Sequence, residues 1–301
     1  MKYLLFMVGW PVLAGLVLAV LTVAIRRGRL RTPVPGTVRG WAIAGLTAGV
    51  LLALIDQIGG VFTFVWGTPD LTRLLIALEF VGPLIAAGVA VAMLALPPPR
   101  RRRVGSAALT RRGLATFVDR RWLILPALTL VLVLALTVTG GTLAGPDGMY
   151  MTDAGIMQFG TGIYGWHLSI PSLITIAALL ILTLLTLLWI SRPSLQDDES
   201  GDVTTRRWRS RQILRAASAG LLMHLASVLH SFAATASTRA SAATSEGPVF
   251  VQGSFSALET PLRVAGFTVD AVGWWIMFLA LAVAVCSRTR AAVRSQAAVN
   301  R

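Results

Sequence analysis

The chain has 301 residues, of which 55% are hydrophobic and only 13% are charged. Soluble domains carry about 25% charged residues, so this composition excludes an ordinary soluble domain. The formal net charge of +14 does not indicate nucleic-acid binding, because the arginines lie in short blocks beside apolar runs. Basic residues in such places act as topology signals and contact anionic lipid headgroups.

Seven apolar segments follow one another along the chain, each about 20 residues long and able to cross a bilayer core as a helix. These predicted spans cover residues 3–25, 38–61, 73–96, 122–143, 168–190, 212–236 and 262–286. Their apolar residues are continuous rather than alternating, which predicts helices and excludes barrel strands. We therefore expect an all-α polytopic protein, with one seven-helix domain over residues 1–290 and a cytoplasmic tail at 291–301.

The basic residues predict the orientation of these spans. All but four of the 27 lie on connections that would share one side of the membrane; the exceptions are Lys2, Arg73, Arg239 and Arg263. The positive-inside rule then places the N-terminus outside and the C-terminus in the cytoplasm. The first span is longer than the apolar core of a signal peptide, so we expect an uncleaved anchor. The expected location is the plasma membrane.

The connections differ in character. Residues 104–121 show a weak apolar spacing of helical period, which predicts a short helix on the membrane surface. The acidic stretch 193–205 predicts a solvated inner loop. Of the two longer outer connections, 142–167 is rich in Gly, Met and aromatic residues, and 237–261 is rich in Ser, Thr and Ala. The first is apolar enough to fold over the mouth of the bundle, or it supplies interfacial aromatics.

Ionisable residues inside the spans are the candidates for function, because each costs about 2.5–3.5 kcal/mol at a helix centre. Apart from arginines near the span ends, five are present: Asp56, Glu79, His224, His230 and Asp270. All except His224 share a predicted depth in the outer half of the membrane and a helical face with small residues, which usually points into a bundle. His224 lies about 120° around the helix from His230 and faces elsewhere.

These four outer residues, Asp56, Glu79, His230 and Asp270, form the predicted ligand or ion pathway. Arg263 and Arg73 are candidate charge partners. Pro83 deprives the Glu79 carbonyl of its helical donor, which would place a carboxylate and a free carbonyl at one position. Such a pairing suits a bound cation; a neighbouring Ser or Thr that satisfies the carbonyl is the alternative. Three carboxyl groups in a low-dielectric site cannot all be ionised without compensation, so we expect a proton or a bound cation among them.

Three functions are compatible with this pattern. The favoured one is a transporter or permease-like component with an outward-facing polar site, and hence no enzyme. A membrane-embedded metal-dependent hydrolase is an alternative, since Asp, Glu and His are valid zinc ligands. A non-catalytic sensor or assembly subunit, with the acids in a structural network, is another. No nucleotide-binding G-x-x-x-x-G-K-[ST] is present, so an energy-supplying cytoplasmic partner would dock on the arginine-rich inner loops. No cofactor is identified, and the single Cys286 excludes an intrachain disulfide.

Known seven-helix families share only the topology. The chain resembles rhodopsins in span number and orientation, but its only lysine is Lys2, and a retinal Schiff base needs a lysine in the last span. The last span also has no histidine, so the H-x-x-x-H pair of seven-helix membrane hydrolases is missing. The excess of Arg over Lys and of Ala and Val resembles uncharacterised multi-spanning membrane proteins of high-GC Gram-positive bacteria. This resemblance is compositional and implies no activity.

Overall fold

Long helices make up most of the described chain. The structure is a computed structural model that describes residues 2–26, 32–66, 69–96, 117–118, 120–153, 158–191, 199–244 and 247–289. Its long helices are α1 (Lys2–Arg26), α2 (Gly36–Trp66), α3 (Pro69–Ala95), α4 (Arg121–Leu143), α5 (Trp166–Ser191), α6 (Glu199–Ala236) and α7 (Glu259–Cys286). All seven are long and apolar enough to cross a membrane. The prediction of a helical chain with seven candidate spans is confirmed, whereas the orientation of its termini stays a prediction.

Helix α6 begins well before the predicted span at residue 212. Its first turns carry Asp202, which pairs with Arg206 one turn later at 2.7 Å. Both side chains are buried. The expectation of a solvated loop is therefore wrong for residues 199–205, because this i,i+4 ion pair supports a packed helix. Residues 193–198 and most of the predicted surface helix at 104–121 lie outside the described residues.

Four helices close into a ring in the order α2, α3, α6, α7, each packing on the next and α7 returning to α2. Helix α1 packs on the outside of α7, while α4 and α5 cover α6 and α3. Small residues let the ring helices approach closely. A Cβ added to Gly49 would lie 3.0 Å from the Ala86 carbonyl oxygen, and one added to Gly220 would lie 2.4 Å from the Ala87 Cβ. The predicted packing role of the Gly49 face is confirmed.

Arginine side chains bind the C-terminal ends of three helices at one end of the bundle. Arg209 of α6 donates to the carbonyls of Leu94 and Ala95 at the end of α3, at 2.7 and 2.6 Å. Arg39 of α2 donates to Val285 near the end of α7 at 2.7 Å. Arg206 donates to the Ile190 carbonyl at the end of α5. Helix C-termini carry partial negative charge, so each contact joins a cation to a favourable dipole end. At the same end, the short strands β1 (Pro33–Val34) and β6 (Arg288–Thr289) pair in parallel.

Two antiparallel hairpins cover the opposite end. One, between α4 and α5, pairs β2 (Met149–Asp153) with β3 (Gln158–Gly162). The other, between α6 and α7, pairs β4 (Arg239–Thr244) with β5 (Gly247–Gln252). The two connections meet through Tyr150, whose hydroxyl bonds Ser254 and whose ring packs edge-on against Phe255 at 5.2 Å. The two outer connections therefore form one surface layer over the bundle.

Candidate functional site

Asp56 and Glu79 come together near the hairpin end of the helix ring. Asp56, on α2, lies directly against Gly82 of α3, where an added Cβ would sit 2.3 Å from its Oδ1. Glu79 precedes Gly82 by three residues, and its carboxyl group is close enough to repel that of Asp56 electrostatically. Asp56 is half-buried, while Glu79 is exposed at the surface of the bundle. Only a glycine at position 82 leaves room for this pair of acids.

Asp270 joins the same region through a residue that sequence reasoning missed. Its side chain is 5% exposed and hydrogen-bonds the Gln57 amide. Gln57 follows Asp56 directly in the chain. Helix α2 therefore places Asp56 beside α3 and bonds Asp270 of α7 through Gln57. Three of the four predicted residues therefore surround one turn of α2. A cross-helix amide such as Gln57 has no signature in a single sequence.

His230 stands apart from the three acids. Its ring lies on Gly266 of α7, where an added Cβ would be 2.8 Å from Cε1, and packs edge-on against Phe267 at 4.8 Å. The charged group that acts on it is Arg263. No hydrogen bond or ion pair within the described part of the chain joins His230 to Asp56, Glu79 or Asp270.

One of the two predicted charge partners, Arg263, forms no ion pair with these acids among the described residues. Arg263 pairs with Glu259 of its own helix at 2.9 Å. Their spacing of four residues is a helical ion-pair signal that could have been read from the sequence. Arg239, from β4, approaches the other oxygen of Glu259 at 3.8 Å. The side chain of Arg73 lies outside the described residues.

The proline kink of α3 is satisfied by side chains of α6. Ser227 Oγ donates to the Glu79 carbonyl at 3.3 Å, so the hydroxyl alternative holds rather than a free carbonyl. The next carbonyl, of Phe80, bonds His224 Nδ1 at 2.7 Å. Because Pro83 has no N–H, the backbone of α3 is open at this turn and accepts donors from its neighbour.

His224 is therefore part of the contact between α3 and α6. The sequence predicted that it faces away from His230, and it does not share the surroundings of that residue. His224 is fully buried. A carbonyl can only accept, so Nδ1 carries the proton and Nε2 holds a lone pair, which has no hydrogen-bond partner among the described residues. The ring of Tyr164 packs edge-on against it at 6.1 Å.

Tyr164 enters the bundle from the connection that follows β3. Its ring lies 4.9 Å from that of Phe80, and its hydroxyl faces those of Ser172 and Thr137. Burial raises the pKa of the Tyr164 phenol above its usual value. Part of the outer connection therefore packs into the bundle at Tyr164, which is consistent with the first of the two alternatives left open by its composition.

A metal centre is not evident in this region. Within the residues that the structure describes, no three His, Cys, Asp or Glu side chains are placed to hold a metal ion.

No protein-family model, curated protein or solved structure matches the chain. Function must therefore be argued from the acids themselves.

Proposed function

We propose that the protein is a transporter or permease-like component of the plasma membrane, whose outward-facing carboxyl site binds a proton or a small cation. The observation that supports this is that Glu79 lies close enough to Asp56 to repel it electrostatically. Two carboxylates within range of each other repel, and a partly buried one such as Asp56 also loses solvation. A shared proton or a bound cation removes that cost.

The alternative, a static salt-bridge network, needs basic partners for these acids. Among the described residues, no basic side chain forms an ion pair with Asp56, Glu79 or Asp270. The predicted partner Arg263 is paired with Glu259. An exchangeable ligand therefore accounts for the acids better than a fixed counter-charge.

The surroundings of Glu79 also suit a site that changes state. Helix α3 contains Pro83, which removes the helical donor of the Glu79 carbonyl, and side chains of α6 bond the carbonyls at this turn: Ser227 that of Glu79 and His224 that of Phe80. Interrupted helices are common at the ion and substrate sites of transporters, where irregular backbone lines the site. A change in the charge of Glu79 would act directly on the α3–α6 contact.

Labelling with dicyclohexylcarbodiimide tests the proposal, because this apolar reagent attacks carboxyl groups that hold a proton. The purified protein in mild detergent should be modified at Glu79 or Asp56 near neutral pH, as located by mass spectrometry of its peptides. The rate should fall as pH rises or when a bound cation is supplied. Glu259, paired with Arg263, is the internal control and should stay unmodified. Absence of labelling at both acids from pH 5 to pH 9, with or without added cations, would contradict the proposal.

The second candidate is a non-catalytic sensor or assembly subunit. The bond between Asp270 and Gln57 favours it, since a neutral amide can hold an acid in a purely structural role. This function predicts a fixed partner in affinity purification from mild detergent and tolerance of alanine at Asp56 and Glu79. Elemental analysis of the same sample tests the metal-dependent hydrolase, which requires stoichiometric zinc.

A further inference from the structure

Strand β2 presents two methionines on the exposed surface of its hairpin. Met149 and Met151 are 36% and 51% exposed. Residues two apart on a strand point to the same face, so both side chains lie on one side of the hairpin. Tyr150, between them, points the other way and is held by Ser254 and Phe255. The methionine face is thus fixed in direction by the packing of its neighbour.

The opposite strand leaves space for the two thioethers. The cross-strand partner of Met151 is Gly160, and that of Met149 is Gly162. A Cβ added to Gly160 would lie 2.6 Å from the Met151 sulfur and 3.1 Å from the Met149 methyl carbon. The thioether ends of both side chains therefore converge over one glycine.

Contact with lipid alone does not explain this choice of residue. In the described part of the chain, the other exposed large apolar side chains are Leu, Ile, Val and Trp, and methionine appears among them only at positions 149 and 151. Lipid contact is met equally well by leucine or valine. What two adjacent methionines add is a pair of soft, polarisable sulfur ligands.

We propose that Met149 and Met151 form a binding site for Cu(I) on the hairpin. Thioethers are uncharged soft ligands that select Cu(I) over hard divalent cations, which prefer oxygen. The ion would bridge the two sulfur atoms over Gly160 as Cu(I), with no change of oxidation state. This inference does not depend on the proposed transport function, because the site lies on the hairpin and includes neither Asp56 nor Glu79.

Titration with Ag(I), a redox-inert substitute for Cu(I), tests the site. The purified full-length protein in mild detergent, carrying Cys286→Ser because a free thiol also binds these ions, should bind one equivalent of Ag(I) and should withdraw Cu(I) from a chromogenic chelator under reducing conditions. The double variant Met149→Leu, Met151→Leu should lose this binding, because leucine keeps the apolar volume and removes the sulfur. Met93→Leu, a methionine of α3, is the matched control and should bind as the original protein does.

A second variant protects the test against a folding defect. Gly160→Val keeps both sulfur atoms but puts a branched side chain where they converge, so Ag(I) binding should also be lost. Carbodiimide labelling of Glu79 should be unchanged in both variants, which separates failure of this site from failure of the carboxyl site. The proposal is overturned if the original protein binds no Ag(I), or if it and the double variant bind Ag(I) equally.

Discussion

The two ends of the helix bundle differ in how their charged side chains are partnered. At one end, Arg39, Arg206 and Arg209 donate to the C-terminal carbonyls of three helices. At the other end, Asp56 lies against a glycine and repels Glu79. The three arginines have acceptors within the protein, whereas we propose that a proton or an ion completes the carboxyl end.

The difference follows from the chemistry of the partners. A backbone carbonyl does not titrate, and an arginine stays charged at any ordinary pH, so an arginine on a helix C-terminus is a permanent contact. Two carboxyl groups can each gain or lose a proton and can share a cation. The charges of the arginine end therefore stabilise the fold permanently, and we expect those of the carboxyl end to respond to pH and cations. The following experiments test this contrast, beginning with the largest expected effect.

Accessibility should distinguish the two ends completely. A cysteine introduced at the exposed Ser241, on strand β4, should react with an impermeant thiol reagent on intact cells. The native Cys286, at the arginine end, should not react, because the basic residues place that end in the cytoplasm. The cysteine-free variant of the same chain is the background control. Labelling in the opposite sense would overturn the predicted orientation and would place the carboxyl site inside.

Removing Arg209 should cause the largest loss of stability. Arg209→Leu leaves the Leu94 and Ala95 carbonyls without their buried donors, at about 1–3 kcal/mol for each unsatisfied group. Thermal unfolding in detergent measures the effect. Arg211→Leu, at an exposed position of the same helix, should change little. Equal stability of the two variants would show that the arginine contacts are not what holds this end together.

Gly49→Leu should destabilise the ring at the α2–α3 contact, by about 1–3 kcal/mol as expected for overpacking. The reason is the distance of 3.0 Å between the position of its Cβ and the Ala86 carbonyl oxygen. Leu16→Ile, on a side chain that is 43% exposed, is the control and should be nearly silent in the same thermal assay. If both variants unfold at the same temperature, the close contact of α2 with α3 is not present in the protein.

The smallest structural effect is expected at Glu79. Glu79→Gln imitates the protonated acid, keeps the length of the side chain and removes the repulsion with Asp56. The variant should fold normally but lose any dependence of stability on pH or cations. Glu79→Ala should additionally weaken the bundle. A Gln variant whose stability still follows pH and cations as the original does would remove Glu79 from the site.

Hydropathy and small-residue spacing were enough to predict the helical class and the packing face of Gly49, because both depend on residues close in sequence. The start of α6 was not predicted, because the charged residues there, including Asp202 and Arg206, resemble a solvated loop. Their spacing of four residues is nevertheless that of an ion pair on one helical face. The contact of His224 with Phe80 and that of Gln57 with Asp270 depend on which helices are neighbours. A single sequence does not specify that adjacency.

The same limit applies to the arginines. Their positions beside the apolar runs predict the orientation of the spans, which stays a prediction, but their role as partners of helix ends is a tertiary property. Arg209 belongs to α6 and binds the end of α3, far from it in sequence. From the sequence, the ionisable residues could be grouped only by their depth in the membrane. This grouping correctly placed Asp56 near Glu79, but it also included His230, which lies beside Phe267 and Arg263 instead.

Infrared difference spectroscopy between pH 5 and pH 9 tests the central claim most directly, because the carbonyl stretch of a protonated carboxyl group is observed without any knowledge of the cargo. The account predicts a carboxyl band that titrates in this range or responds to an added cation, and that is missing from Glu79→Gln. The account is contradicted if no carboxyl band titrates, added cations leave the spectrum and the stability unchanged, and the Gln variant gives the same spectrum as the original protein.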